Sequence, residues 1–234
     1  MGGQEGVNQQ PAETPPNALR NISIFIAATE SFSKRNTNCS IEESLARVKP
    51  VFEVAQSHGI RVRAYISVVL GCPFEGLEVS PTRVADLSLT LLDMGAHEIS
   101  LGDTTGLGTV RSVRQLLRHL RSASVPTERL ALHLHDTYGQ AVANAAVGLD
   151  EGIRTFDASV AGLGGCPYAP GATGNVATED LVHFFHGAGL STGVDLERLA
   201  TIGAWISREL DRPNGSRAGQ AILAKRAIDS NPAS

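Results

Sequence analysis

The chain has 234 residues, a length that suggests one domain or two small ones. Hydrophobic residues make up 42% and charged residues 19%, so most of the chain is expected to be globular rather than disordered. A net charge of −4 argues against a large basic surface for nucleic acid or anionic lipid. No run of about 18 apolar residues is present, so no membrane partner is expected.

Three segments follow from composition along the chain. Residues 1–20 are rich in Gly, Gln, Asn and Pro and show no apolar periodicity, which predicts a disordered leader. They have neither the apolar stretch of a secretory signal nor the Arg-rich, acid-poor composition of a mitochondrial transit peptide. Residues 21–224 carry regular apolar patterns and are predicted to form the folded domain. Residues 225–234 are predicted to be a polar tail.

Within the domain, short apolar runs alternate with amphipathic ones. Predicted strands cover residues 22–28, 61–70, 97–101, 130–135 and 155–160. Predicted helices cover residues 41–58, 81–94, 110–122, 139–151, 178–187 and 195–210, and their starts carry capping signals such as Ser40 with Glu43 three residues later. This alternation predicts parallel β/α units, in a β/α barrel or a doubly wound sheet. In both folds ligands bind at the carboxyl ends of the strands.

Two histidines end the fourth predicted strand. His133 and His135 are two residues apart, so their side chains are expected on the same face of that strand. Two converging imidazoles could bind a divalent metal, and they suit Mn²⁺ or Zn²⁺ as readily as Mg²⁺. The alternative is a pair of histidines with a purely structural role. Their position at a strand end favours the metal site.

Other polar residues follow neighbouring strands. Asp103 is a candidate proton acceptor or partner of a metal-bound imidazole, although an Asp-Thr-x-Gly sequence also suits a turn. Cys166 lies in a glycine-rich loop, where a thiol could act as acid, base or nucleophile or be an unreactive surface group. Asn175 offers an amide oxygen for a hard metal, or is a turn residue. Glu179 and Asp180 are expected in the first turn of a helix capped by Thr178, with no catalytic role.

A basic pair near the first strand is the remaining candidate. Lys34 and Arg35 could contact an anionic ligand, but such a pair is more often a solvated surface, and we favour that interpretation. The three cysteines, Cys39, Cys72 and Cys166, form no C-x-x-C pair, which favours a reducing compartment over a disulfide scaffold.

Several motifs occur in the order in which one enzyme family carries them. The loop Ser-Val-Ala-Gly-Leu-Gly-Gly-Cys-Pro-Tyr at 159–168 resembles the signature loop of the hydroxymethylglutaryl-CoA lyases. The likeness extends over about residues 22–223, through the segments at 36–44, 70–76, 98–104, 133–140 and 174–181. Related synthases and metal-dependent aldolases share the wider superfamily, but the cysteine loop favours the lyases.

The resemblance implies a partial (β/α)8 TIM barrel of about five β/α units, corresponding to family strands 4–8, with C-terminal helices. It implies a carbon–carbon lyase that cleaves 3-hydroxy-3-methylglutaryl-CoA, in leucine degradation and ketone-body formation. His133, His135 and Asn175 would be ligands of Mg²⁺ or Mn²⁺. His133, Asp103 and Cys166 would be catalytic. An acyl-CoA substrate, a homo-oligomer and a soluble intracellular location, in the mitochondrial matrix or cytoplasm, are also implied.

The sequence departs from the family pattern at one point. The family's first strand carries an Arg-Asp-Gly motif that supplies a further metal ligand, and this sequence contains no such motif. We expect family strands 1–3 to be absent, the apolar interior of the barrel to be exposed, and the chain to have little lyase activity and to self-associate. A truncated gene model is the favoured explanation, over a fragment completed by another chain and a non-catalytic remnant that binds CoA esters or a partner.

Overall fold

Five parallel strands form the centre of the molecule. The computed structural model describes residues 19–165 and 174–229. The strands in this part of the chain are β1 (Asn21–Ala27), β2 (Arg61–Ser67), β3 (Ala96–Asp103), β4 (Leu130–Leu134) and β5 (Thr155–Asp157). They lie side by side in chain order, each parallel to the next. This is the sequential order of a β/α barrel wall, and it confirms the predicted partial barrel.

Helices connect the strands and follow the last one. They are α1 (Glu30–Thr37), α2 (Ile41–Ser57), α3 (Pro81–Asp93), α4 (Val110–Ser122), α5 (Ala141–Asp150), α6 (Thr178–Gly187), α7 (Leu196–Glu209) and α8 (Arg217–Asp229). The predicted capping box opens α2: the Ser40 hydroxyl accepts from the Glu43 N–H, and the Glu43 carboxylate accepts from the Ser40 N–H. None of the described helices is long and apolar enough to cross a membrane.

The larger differences between the structure and the predicted elements are in four places. Helix α1 was not predicted, because its eight residues are mostly polar. Helix α8 continues past Lys225, so the predicted boundary of the polar tail falls inside a helix. Strand β2 ends at Ser67, because Val68 turns the chain with a φ of 56°. Strand β5 ends at Asp157, and Ser159 forms only an isolated bridge with Ala177.

The two faces of the sheet differ in chemistry. Apolar side chains on one face, such as Ile66, Ile99 and Leu132, are buried in the core beneath the helices. On the other face the register pairs Arg63 with Glu98 and His133 with Asp157. The prediction of an apolar interior is therefore wrong for the described wall, because alternate residues of β2–β5 place mostly polar side chains there.

A cross-sheet contact shows that the wall is curved. Arg63 on β2 bonds to Asp157 on β5, with Nη1 2.7 Å from Oδ1. In a flat sheet, three strand intervals would separate these strands by roughly 14 Å, beyond the combined reach of the two side chains. The sheet must therefore curve so that the polar face is concave.

Candidate functional site

The carboxyl ends of β3 and β4 gather the predicted site residues. Asp103 is the last residue of β3, and His133 lies one residue before the end of β4. His135 follows β4 and forms an isolated antiparallel bridge with Asn175. Residues from three distant parts of the sequence are thus brought to one end of the sheet, where β/α proteins bind their ligands.

The two imidazoles converge as their spacing predicts. The ring centroids of His133 and His135 lie 5.4 Å apart. His135 is 4% exposed, whereas the side chain of His133 is 29% exposed. Burial, with a smaller effect of His133, lowers the pKa of His135 to about 4. The His135 ring is therefore neutral at pH 7, the form in which imidazole binds metals.

Two unpaired atoms test whether a metal ion fits here. Nδ1 of His135 and Oδ1 of Asn175 are both buried and have no hydrogen-bond partner. The amide nitrogen of Asn175 donates to the Leu163 carbonyl at 3.0 Å, which leaves its oxygen as the uncommitted acceptor. An unpaired buried polar atom costs about 1–3 kcal/mol. A divalent cation bound by this imidazole and this amide oxygen would remove that cost, so the residues fit a metal ion.

The metal site is sparse in anionic ligands. Nowhere in the described ranges do three His, Cys, Asp or Glu side chains form a group that could hold a metal. The fit therefore depends on two histidines and one asparagine amide.

Asp103 is both a turn residue and a buried acid. It is 1% exposed, and its Oδ2 accepts from the Gly108 N–H at 3.0 Å while its Oδ1 has no partner. Burial raises the pKa of Asp103 to about 6, against the opposing effect of backbone hydrogen bonds. A Cβ on Gly108 would lie 2.6 Å from Oδ2, so the close approach requires glycine here. The pKa is close to neutral, which suits proton transfer.

The polar side chains that surround His133 on the concave face were missed by the sequence interpretation. This interior network consists of Arg63, Glu98, Ser100, Asp157 and His133. Ser100 donates to Oδ2 of Asp157 at 2.8 Å, and Nδ1 of His133 lies 3.4 Å from the same oxygen. Nε of Arg63 lies 2.5 Å from Oε1 of Glu98. The available signal was the polar residue at every second position of otherwise apolar strands.

Tyr65 connects this network to the edge of the sheet. Its hydroxyl accepts from Nη1 of Arg63 at 2.7 Å. Its ring stacks on Phe25, with centroids 5.0 Å apart, and meets the His133 ring edge-on at 5.9 Å. A continuous row of rings therefore runs from β1 to the histidine pair.

Glu179 has a different role from the one predicted. It is fully buried, and both of its carboxylate oxygens accept from the Ala161 N–H, at 3.1 and 3.0 Å. The helix begins after Ala177 without a side-chain cap, so the prediction that Thr178 caps it is wrong. Glu179 instead fixes the turn at residues 160–162, just before the glycine-rich segment that contains Cys166. Cys166 itself lies outside the described residues.

The basic pair near the first strand lies in α1 and is not part of the site. The Arg35 guanidinium lies 4.4 Å from the centroid of the Phe74 ring, a cation–π contact. Glu30, at the start of the same helix, accepts from the Ile41 N–H at 3.2 Å. The first contact joins α1 to the segment after β2, and the second joins it to the start of α2, so α1 has a structural role.

Comparison with known proteins identifies the family. The sequence model of the HMGL-like family matches residues 10–206. The chain belongs to this family. It is 50% identical over 234 aligned positions to the 3-hydroxy-3-isohexenylglutaryl-CoA/hydroxymethylglutaryl-CoA lyase of Pseudomonas aeruginosa, covering 94% of this chain and 77% of that protein.

Solved structures of the same family have the same fold. The hydroxymethylglutaryl-CoA lyase of Pseudomonas aeruginosa superposes with a TM-score of 0.85 at 54% identity, over 88% of this chain and 68% of that one. An HMG-CoA lyase of Acinetobacter baumannii, solved with coenzyme A and 3-methylmalate, superposes with a TM-score of 0.81 at 32% identity. The match covers 86% of this chain and 65% of that one. Enzymes of the HMGL-like family depend on a divalent metal ion.

Proposed function

We propose that this HMGL-like chain is a carbon–carbon lyase that cleaves 3-hydroxy-3-methylglutaryl-CoA to acetyl-CoA and acetoacetate. The observation that carries the proposal is the group formed by His133, His135 and Asn175 at one end of the sheet, with Asp103 at the end of the neighbouring strand. It combines two imidazoles, of which that of His135 is neutral at pH 7, and an amide oxygen with a nearby acid whose pKa is about 6. Relatives at about 50% identity that are hydroxymethylglutaryl-CoA lyases support the same reaction.

His133, His135 and Asn175 would hold Mg²⁺ or Mn²⁺. When bound, the ion would lower the pKa of the tertiary hydroxyl of the substrate, as a metal does for bound water. The amide oxygen of Asn175 is the hard ligand in the set, and it favours these ions over softer ones. The preference for Mg²⁺ or Mn²⁺ over Zn²⁺ comes from the family resemblance.

The protein's own side chains would move the protons. Asp103, or His133 through Nε2 when that nitrogen is not bound to the ion, would accept the proton of the tertiary hydroxyl as its C–O bond becomes the ketone of acetoacetate. The electrons of the broken C–C bond pass to the α-carbon of the departing acetyl-CoA. Cys166 would then donate a proton to that carbon. The fixed turn at residues 160–162 would support the glycine-rich loop that carries this thiol.

A direct assay separates the lyase from the alternatives. The purified full chain with Mn²⁺ is incubated in excess over radiolabelled 3-hydroxy-3-methylglutaryl-CoA, so that even one slow turnover is detected. Because the sequence lacks the Arg-Asp-Gly motif, we expect turnover well below that of the Pseudomonas aeruginosa relative. We expect the wild-type chain to form acetoacetate. Addition of EDTA, His135→Asn and Cys166→Ala should each abolish its formation. The exposed Glu197→Gln variant is the matched control.

Two other outcomes would contradict the proposal. Metal-dependent binding of the acyl-CoA without any cleavage would identify a non-catalytic binding module. Condensation of acetyl-CoA with a 2-oxo acid would identify a synthase of the same superfamily. The assay also includes 3-hydroxy-3-isohexenylglutaryl-CoA, because the Pseudomonas aeruginosa relative is named for this substrate as well.

A further inference from the structure

Asp157 is the centre of the interior network, and the proposed reaction leaves it without a role. Each of its two carboxylate oxygens has defined partners. Oδ1 accepts from Arg63, whereas Oδ2 accepts from Ser100 and faces Nδ1 of His133 at 3.4 Å. Strands β2, β3 and β4 thus each supply one group to a carboxylate on β5. Such a carboxylate is held in place before any ligand arrives.

The contact distinguishes the two nitrogens of His133. Nδ1 is buried and has no hydrogen bond of good geometry, so Asp157 is the acceptor that faces it. A neutral imidazole carries a proton on one nitrogen and a lone pair on the other, and a carboxylate can only accept. The negative charge beside Nδ1 therefore favours the proton on that atom. The lone pair is then left on Nε2.

The partners of Asp157 hold its carboxylate in one orientation. Oδ1 lies 2.7 Å from Nη1 of Arg63, and Oδ2 lies 2.8 Å from the Ser100 hydroxyl. Arg63 is itself held by Glu98, so the guanidinium cannot turn away without losing a second ion pair. A fixed acceptor beside Nδ1 is what orients a ligating histidine.

We propose that Asp157 is a positioning residue that fixes the ring orientation of His133 and its Nδ1–H tautomer, which makes Nε2 the nitrogen available to a metal ion or substrate. The inference deepens the proposed function, because only that function says what Nε2 meets. The tautomer itself is a property of the protein alone.

The first experiment measures the tautomer without metal or substrate. The full chain is labelled with ¹⁵N-histidine, and the signal of His133 is assigned among the seven histidines by its loss in His133→Gln. At alkaline pH we expect the wild-type proton on Nδ1. In Asp157→Asn the amide can donate to Nδ1, so we expect the proton to move to Nε2. A wild-type proton on Nε2, or an unchanged tautomer in Asp157→Asn, would overturn the proposal.

The second experiment measures Mn²⁺ affinity by the electron paramagnetic resonance signal of the free ion. Loss of an orienting carboxylate typically weakens metal binding by about 10–100-fold, and we expect that loss in Asp157→Asn. Asp157→Glu keeps the carboxylate and should restore part of the affinity. Glu151→Gln is the matched control: it makes the same chemical change in a carboxylate paired with Arg118 and Arg121, and should bind as the wild type does.

Failure of the two proposals gives different results. If wild-type protein binds no Mn²⁺ but His133 carries its proton on Nδ1, the metal part of the proposed function fails and the role of Asp157 stands. If Asp157→Asn binds Mn²⁺ as tightly as wild type, the role of Asp157 fails. Circular dichroism checks that each variant folds. If Asp157→Asn does not fold, two other results test the role of Asp157. They are the tautomer of His133 in the wild type and the Mn²⁺ affinity of Arg63→Lys, which holds the Asp157 carboxylate less firmly.

Discussion

Burial shifts the pKa values of two side chains of the site in opposite directions. Burial raises the pKa of Asp103 from 3.8 to about 6 and lowers the pKa of His135 from 6.5 to about 4. The contribution of Asp103 to stability is therefore complete below pH 3.8 and lost as the pH rises through about 6. That of His135 is complete above pH 6.5 and lost as the pH falls through about 4. Each pKa shift changes the free energy of unfolding by about 3 kcal/mol across its pH range. The two changes have opposite signs as the pH rises, so they largely offset each other.

Replacing either side chain should leave only the pH dependence of stability that the other one causes. In metal-free protein, we expect the free energy of unfolding of Asp103→Asn to rise by up to about 3 kcal/mol between pH 4 and 7, because only the His135 effect remains. In His135→Asn it should fall by a similar amount. Urea unfolding across this pH range measures both, with the exposed Asp150→Asn as control. A pH profile of Asp103→Asn that matches the wild type would contradict the assignment.

The approach of Gly108 to Asp103 gives a second prediction for a single residue. A Cβ at this position would lie 2.6 Å from the carboxylate and 2.7 Å from Cδ1 of Leu70. We expect Gly108→Ala to lower the free energy of unfolding by about 1–3 kcal/mol, as overpacking does. Gly187→Ala is the control, because its Cβ would meet nothing within 4 Å. Equal stability of the two variants in urea unfolding would contradict the packing described.

At the scale of elements, α6 is joined to the turn before the glycine-rich segment by a buried carboxylate. Glu179 on α6 accepts from the Ala161 N–H, and Ala161 adopts a positive φ of 56°. Burial raises the pKa of Glu179. Gly203 on α7 leaves room for the carboxylate, since a Cβ there would clash with Oε1. Three segments of the chain therefore depend on one side chain.

This arrangement predicts a graded loss of stability. Glu179→Ala should lower the free energy of unfolding by about 3 kcal/mol, because it leaves the Ala161 N–H buried and unpaired. Glu179→Gln should cost less, since its amide oxygen can still accept one bond. The exposed Glu197→Ala is the matched control. Urea unfolding of the three variants decides, and a Glu179→Ala variant as stable as Glu197→Ala would refute the role.

At the scale of the whole molecule, the described wall has an unpaired edge at β1. Phe25 is 56% exposed at this edge and stacks on Tyr65. Unpaired strand edges with exposed apolar side chains promote association between chains. We expect the wild-type chain to self-associate and Phe25→Ser to reduce this in sedimentation velocity. Val54→Ser changes an equally exposed apolar position on α2 and should leave the association unchanged. Equal association of Phe25→Ser and the wild type would contradict the prediction.

Metal binding should also stabilise the molecule as a whole. An ion that binds only the folded state at 100 times its dissociation constant adds about 2.7 kcal/mol. We expect Mn²⁺ to raise the melting temperature of the wild type and EDTA to reverse the shift. His135→Asn should show no shift. A Mn²⁺ shift of the same size in His135→Asn would place the ion elsewhere.

Much of the fold could be predicted from local patterns. The capping box of Ser40 and Glu43, the alternation of strands and helices, and the convergence of His133 and His135 depend on residues close together in the sequence. Helix α1 was not predicted, because its short, polar sequence has a weak apolar pattern. The interior network was not predicted, because polar residues in strands do not indicate which partner they face.

Periodicity, caps and motifs are local, so the amino-acid sequence was enough to predict the family, the order of the β/α units and the candidate site residues. Only the folded molecule shows that Asp157 faces His133 and that Arg63 contacts Asp157, 94 positions away in the chain. Those contacts depend on the curvature of the sheet. Curvature arises from the packing of all the strands and helices together, so no single segment encodes it.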